Sequence, residues 1–119
     1  ITNKRIANAH YYDQLLNEIP EIQLLDREQN IKEVFHLYIF TVENRDELSK
    51  YLQSNGVDAK VHYPIPMHLQ PAARKYNFNN DEFPNASILS DKTISLPVHE
   101  FIKNEQIEFV CDLINKFFK

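Results

Sequence analysis

Four side chains of the segment Val61–Pro71 carry groups that could bind a small polar molecule: His62, Tyr63, His68 and Gln70. Imidazole and phenol groups can donate hydrogen bonds to phosphate and sugar oxygens. The same segment contains three prolines, and each proline fixes its own φ and favours extended backbone in the residue before it. A stiff backbone would hold these side chains in defined directions, as a binding site requires. The segment therefore predicts a site for an anionic or hydroxylated ligand. The alternative is that Tyr63 packs in the core and the histidines lie on the surface.

The two histidines of this segment could instead bind a metal ion, with Asp58 or His99 in support. Zinc sites need three or four ligands in a defined geometry. His62 and His68 are six positions apart with two prolines between them, a spacing that matches no common ligand pattern. We therefore predict no metal site.

Four side chains are candidate nucleophiles: Ser87, Ser90, Ser95 and Cys111. None of the serines lies in a strand-elbow motif such as GxSxG. Cys111 falls on the apolar face of the last predicted helix, where a buried thiol is unreactive. We therefore predict no catalytic residue among these four side chains.

Composition narrows the function classes further. The 119 residues carry a net charge of −4 with no concentrated basic patch, which argues against nucleic acid or an anionic membrane as a partner. No apolar run reaches the length of about 20 residues that a membrane span needs. Gly56 is the only glycine, so glycine-rich phosphate loops are excluded. Cys111 is the only cysteine, which fits a reducing, cytoplasmic location.

Hydrophobic periodicity predicts the elements of the first third of the chain. Apolar residues from Ile6 to Ile19 follow a helical spacing, and Pro20 is predicted to end that helix. Residues 22–25 could form a short edge strand. The run Val34–Val42 is rich in β-branched and aromatic residues, which predicts a central strand packed between the first and last helices.

The middle of the chain predicts a second helix and a second main strand. Asn44 and Glu47 form a capping-box pattern at the start of the helix. Gly56 is predicted to end it, because glycine takes the left-handed position after a helix most cheaply. Alternating polarity in Val57–Tyr63 predicts a half-buried strand that leads into the proline-rich segment.

The last third predicts short helices and one more strand. Pro71 and Pro84 are each placed to open a short helix, since the missing N–H of proline costs nothing there. Thr93–Leu96 is predicted as a brief strand, and Asn104 is predicted to cap the final helix. Helices interleaved with three or four strands in 119 residues indicate a small α+β domain.

Several of these segments together resemble the DegT/DnrJ/EryC1/StrS family. The matching segments are Arg5–Ala9 with Tyr12 and Leu15, Val34–Tyr38, Arg45–Leu48 with Tyr51 and Leu52, Gly56-Val57, His62–Pro71, Phe83-Pro84, and Ile94–Pro97 with His99. They occur in the family's order over nearly the whole chain. The His62–Pro71 segment is most similar to the branch that aminates C3 of dTDP-3-oxo-6-deoxyhexoses.

The resemblance implies a fold type I transferase that uses pyridoxal 5′-phosphate (PLP) to pass an amino group from glutamate to a nucleotide-linked keto-deoxysugar. It implies that residues 1–119 form the C-terminal small domain, a mainly antiparallel sheet packed by helices. The Schiff-base lysine would lie in a larger N-terminal domain absent from this chain, since Lys92 lacks the family's lysine context. The chain beginning at Ile1 is accordingly interpreted as a fragment.

For the site, the resemblance implies that His62, Tyr63 and His68 belong to the segment that lines the sugar-nucleotide cleft, often that of the neighbouring subunit in a homodimer. Gln70 is added as a substrate-binding candidate from its residue type. The chain alone is then expected to be inactive. The competing hypothesis is a free-standing binding or interaction module derived from this domain.

Overall fold

The computed structural model describes residues 1–119. Its regular elements are the helices α1 (Thr2–Leu16), α2 (Arg45–Ser54), α3 (Pro84–Lys92) and α4 (Asn104–Phe118) and the strands β1 (Tyr38–Thr41) and β2 (Thr93–Leu96). Three short 3₁₀ helices, Met67–Leu69, Pro71–Tyr76 and Asn80–Glu82, lie between α2 and α3. None of the helices is both long and apolar enough to span a membrane.

The two strands pair antiparallel, with Tyr38 opposite Leu96 and Thr41 opposite Thr93. Helices α1 and α4 pack against each other, and α4 also contacts α2. One hydrophobic core of 21 buried residues joins these helices to the sheet. This architecture confirms the α+β class and the antiparallel sheet packed by helices.

Two single bridges widen the sheet without forming further strands. Gln23 pairs with Thr41 beside β1, and Lys60 pairs with Ser95 beside β2. The predictions of strands over residues 22–25 and Val57–Tyr63 were therefore wrong in extent. The Lys60 bridge matters for the site, because it brings the chain alongside β2 just before His62.

The strand predicted over Val34–Val42 is shorter than its composition indicates. Phe35 has a φ of 51°, in the left-handed region that β-strands do not use. The Arg5 guanidinium donates to the carbonyl oxygens of Phe35 and His36 at 3.0 and 3.1 Å. These carbonyl groups are bound by a side chain from α1, so regular pairing begins only at Tyr38.

Two predicted helix boundaries and one predicted cap interaction also need correction. Helix α1 ends at Leu16, well before Pro20, because the next turn tightens into a bond from the Ile19 N–H to the Leu16 carbonyl at 3.0 Å. Asn44 precedes α2 but makes no side-chain cap hydrogen bond. Asn104 is the first residue of α4, and the cap position belongs to Lys103.

Other local predictions hold. Gly56 follows α2 with a φ of +83°, in the left-handed region. Pro71 and Pro84 open helices, the first of them a 3₁₀ helix. The strand Thr93–Leu96 is confirmed at both ends.

Candidate functional site

A cavity of about 750 Å³ opens between β1, the proline-rich segment and α3. Nineteen residues line it, and twelve of them are hydrophobic. All four side chains singled out from the sequence, His62, Tyr63, His68 and Gln70, are among the lining residues. The fold therefore brings the predicted residues together on the wall of one pocket.

His62 is held against the sheet by a hydrogen bond between its Nδ1 and the Ser95 Oγ, 3.0 Å apart. The ring is half-buried, and the Tyr63 ring meets it edge-on at a centroid distance of 5.6 Å. The other ring nitrogen, Nε2, makes no hydrogen bond within the chain. His62 therefore offers one free nitrogen to a ligand.

His68 lies in the 3₁₀ helix Met67–Leu69 and is only 9% exposed. Its ring packs on Phe83 at a centroid distance of 4.9 Å, and its Nε2 lies 3.4 Å from the Ser87 Oγ. The Ser87 hydroxyl donates its single proton to Asn80, whose backbone O and Oδ1 are both 2.9 Å away. In this longer contact His68 is therefore the donor, and its Nδ1 remains without a partner.

Tyr63 and Gln70 are the more exposed of the four lining residues singled out from the sequence. Tyr63 is 73% exposed, which contradicts the alternative that it packs in the core. The Gln70 side-chain amide donates to the Ile65 carbonyl at 3.0 Å. Gln70 thus braces the Pro-Ile-Pro turn and keeps its own side-chain oxygen available as an acceptor.

An aromatic wall of Tyr76, Phe78 and Phe83 completes the cavity. The rings of Phe78 and Phe83 meet edge-to-face at 5.4 Å, and those of Tyr76 and Phe78 lie 5.8 Å apart. All three side chains remain partly open to solvent. None of these three residues was predicted from the sequence to line the site, so this wall was missed. Three aromatic residues within the eight positions 76–83 were the available signal.

The lining contains no lysine, arginine, aspartate or glutamate. Its polar groups are uncharged or weakly ionising: imidazole, phenol, amide and hydroxyl. Such a surface can donate hydrogen bonds to hydroxyl and carbonyl oxygens and can stack on a flat ring face. It supplies no fixed positive charge to neutralise a phosphate or carboxylate group.

The other chemistries considered from the sequence find little support in the geometry. No three His, Cys, Asp or Glu side chains are grouped closely enough to hold a metal ion. Cys111 is buried in the core, outside the cavity. Burial, with the nearby negative charges of Asp112 and Glu108, raises the pKa of its thiol to about 12. The thiolate needed for nucleophilic attack is therefore scarce near neutral pH.

Arg45 ties the site to α2. This residue is only 6% exposed, and its Nη1 donates to the carbonyl oxygens of Ser90 and Thr93 at 2.8 and 3.0 Å. These carbonyls lie where α3 ends and β2 begins, where helix carbonyls lack partners of their own. Ser87 in α3 and Ser95 in β2, the hydrogen-bond partners of the site histidines, belong to the two elements that this junction connects.

Comparison with known proteins places this architecture in one family. Residues 1–115 match the family model described as the DegT/DnrJ/EryC1/StrS aminotransferase family. The chain is 31% identical over 120 residues to a protein named pleiotropic regulatory protein from Geobacillus stearothermophilus, covering 99% of this chain and 32% of that protein. It is 31% identical over 114 residues to the dTDP-3-amino-3,4,6-trideoxy-alpha-D-glucose transaminase of Streptomyces venezuelae, covering 96% of this chain and 30% of that enzyme.

Among solved structures, the chain superimposes on the S. venezuelae enzyme DesV in complex with a ketimine intermediate, with a TM-score of 0.92 and 30% identity. The match covers 98% of this chain and 31% of DesV. The chain thus spans about a third of the length of the curated relatives it matches, and its fold is that of their C-terminal domain. The chain belongs to the DegT/DnrJ/EryC1/StrS aminotransferase family.

Proposed function

We propose that this chain is the C-terminal small domain of a PLP-dependent aminotransferase that passes an amino group from glutamate to a nucleotide-linked keto-deoxysugar. The domain covers the active site and helps bind the sugar nucleotide, and the full-length enzyme is a cytoplasmic homodimer. The 3-aminotransferase relatives with dTDP-linked products favour a dTDP-3-oxo-6-deoxyhexose as the substrate.

One observation carries the proposal for the site: His62, Tyr63, His68 and Gln70 all line one cavity with an aromatic wall. A deoxysugar has an apolar face and a rim of hydroxyl and carbonyl oxygens. The aromatic wall suits the apolar face, and the free nitrogens of His62 and His68 suit the rim. We assign these four residues to substrate binding and no residue of this chain to catalysis.

The residues present do not fit PLP as a group held by this chain alone. The cavity lining contains no lysine that could form a Schiff base and no cation that could bind the cofactor phosphate. Lys92 lies outside the cavity and its ammonium donates to Glu43 at 2.5 Å. We therefore assign PLP and the Schiff-base lysine to the large domain and derive no chemical step from the residues of this chain.

The activity is tested by supplying the intact polypeptide with PLP, glutamate and a dTDP-3-keto-6-deoxy sugar. An amino-sugar nucleotide and an equal amount of 2-oxoglutarate are expected. Refusal of this and every other nucleotide-linked keto sugar would overturn the proposal and favour a free-standing binding module. The reading frame upstream of Ile1 is the cheaper check, because the enzyme requires a lysine in the large-domain context there.

The site assignment has its own test in the same assay. His68→Ala is expected to raise the KM for the sugar nucleotide about tenfold, the effect of losing one well-placed hydrogen bond. His36→Ala is the matched control, because His36 is exposed and lies outside the cavity. An unchanged KM in the His68 variant would remove His68 from the binding site.

A further inference from the structure

The Ser95 side chain forms a hydrogen bond with a histidine of the candidate site. Ser95 lies within β2 and is 3% exposed, and its Oγ is 3.0 Å from the His62 Nδ1. Its backbone N–H donates to the Lys60 carbonyl at 2.8 Å, and its carbonyl accepts from the Lys60 N–H at 3.0 Å. The backbone bridge and the hydroxyl together fasten the start of the proline-rich segment to the sheet.

The direction of the Ser95–His62 hydrogen bond follows from a count of protons. A serine hydroxyl has one proton, and a buried donor without an acceptor is unfavourable. His62 is the only side chain that the Ser95 hydroxyl reaches. Ser95 therefore donates, the lone pair of Nδ1 accepts, and the neutral ring carries its proton on Nε2.

We propose that Ser95 is a positioning residue that fixes the ring orientation and tautomer of His62, so that Nε2–H is presented to the cavity as a hydrogen-bond donor. The ligand group that accepts it is a hydroxyl or carbonyl oxygen of the sugar in the bound nucleotide sugar. The nature of the ligand rests on the proposed function, whereas the tautomer is a property of this chain alone. The serine is paired through its only proton and is not among the residues that line the cavity, so it acts through His62.

The tautomer is tested by ¹⁵N NMR of the histidine rings in the 119-residue chain at about pH 8.5, where an ordinary imidazole is neutral. His62 is expected to show a protonated Nε2 and an unprotonated Nδ1. His36 provides a free-ring reference in the same sample, because it is exposed and its ring makes no hydrogen bond. A proton found on the Nδ1 of His62 would overturn the proposal without any mutation.

Variants separate positioning from simple packing. Ser95→Ala should move the His62 ring shifts toward those of His36, and Ser95→Thr should restore them, because threonine keeps the hydroxyl and suits a strand. Ser49→Ala is the matched control, since Ser49 is also buried but contacts no histidine. A folded Ser95→Ala chain with unchanged His62 shifts would contradict the proposal.

Kinetics of the intact polypeptide connect the tautomer to the ligand. Ser95→Ala and His62→Ala are each expected to raise the KM for the sugar nucleotide five- to tenfold, about the effect of one neutral hydrogen bond, with Ser95→Thr close to wild type. If the NMR result is as expected but His62→Ala leaves KM unchanged, His62 does not bind the sugar nucleotide, and only the assignment of its tautomer is supported. If His62→Ala raises KM but Ser95→Ala changes neither KM nor the ring shifts, the positioning role falls and the proposed function stands.

Discussion

Replacing Arg45 with methionine tests how much this side chain stabilises the junction between α3 and β2. The substitution keeps a long, unbranched side chain in a buried position but removes the donors to the Ser90 and Thr93 carbonyls. Each charge-assisted hydrogen bond contributes about 1.5–3 kcal/mol. Burying a guanidinium also has a desolvation cost, which methionine avoids. Two such bonds give a gross value of about 3–6 kcal/mol, so the expected net loss of unfolding free energy is about 3 kcal/mol.

This loss is large for a domain of this size, whose total stability is on the order of 5–15 kcal/mol. It corresponds to a fall in Tm of roughly 10–15 °C. Urea unfolding of the 119-residue chain followed by far-UV circular dichroism measures it directly, with the m-value as a check that the transition stays cooperative. Arg45→Lys should lie between the two proteins, because lysine keeps the charge but not the planar set of donors.

Asp46→Asn is the matched control for the Arg45 prediction. Asp46 accepts from the Arg45 Nε at 2.6 Å, but its side chain is 72% exposed. An exposed ion pair contributes about 0–1 kcal/mol, so this variant should remain close to wild type. A loss below about 1 kcal/mol in Arg45→Met, or an equal loss in both variants, would show that the two carbonyls do not depend on Arg45.

Three further predictions follow from the buried thiol, the buried tyrosines and the lysine-free cavity. Cys111 should react with iodoacetamide at pH 8 much more slowly than the same residue in urea, and equal rates would contradict its burial and its pKa of about 12. Because this pKa lies above the ordinary value of 9.0, the unfolded chain releases the proton first, so unfolding free energy should decline from about pH 9 by up to about 1.4 kcal/mol per pH unit. In Cys111→Ala the decline in unfolding free energy should begin only at about pH 10, the ordinary pKa of tyrosine. Burial is the main cause of the raised pKa values of Tyr12 and Tyr38, so these two residues would then cause the decline. A decline that still begins at about pH 9 would argue against the thiol. Mixing the 119-residue chain with PLP and reducing with borohydride should leave no single stoichiometrically labelled lysine, with Lys92→Arg as the control, and one clean label at Lys92 would place Schiff-base chemistry in this domain.

The proline-rich segment shows how far the sequence alone could predict the site. Proline geometry is local, so its stiffening of the backbone around Ile65 could be read from residue types. The side chains that form hydrogen bonds with the histidines could not be predicted from residue types. Ser87 and Ser95 are 19 and 33 positions from their histidine partners, and no periodicity connects such distant residues. The sequence suggests both serines only as candidate nucleophiles, whereas each is a hydrogen-bond partner of a site histidine.

The shortened strand shows why element type was easier to predict than element length. The composition of Val34–Val42 favours β-structure throughout, and its second half forms β1. Its first half forms no strand, because Arg5 on α1 donates to the carbonyl oxygens of Phe35 and His36. Thr93–Leu96 lies between a helix and Pro97, and the only side-chain contact to its carbonyls, from Arg45, reaches its first residue, so local signals were sufficient there.

The cavity lining has no charged side chain, so the proposed binding of a nucleotide sugar must also involve groups outside this lining. A nucleotide sugar carries two phosphate charges that must be neutralised, yet the cavity offers only imidazole, phenol, amide and hydroxyl groups. Neutral donors discriminate well between positions of hydroxyl and carbonyl groups, because a mismatched oxygen leaves a buried donor unpaired. They contribute little to long-range attraction, which depends on net charge. Under the proposed function the domain is therefore suited to recognise the sugar, and we expect the cations that bind the diphosphate to lie outside the cavity lining. Substitutions at His62 or His68 should then change the preference among keto sugars more than the affinity for the free nucleotide diphosphate. Competition by dTDP against the sugar nucleotide measures that difference, and an equal loss for both ligands would contradict this expectation.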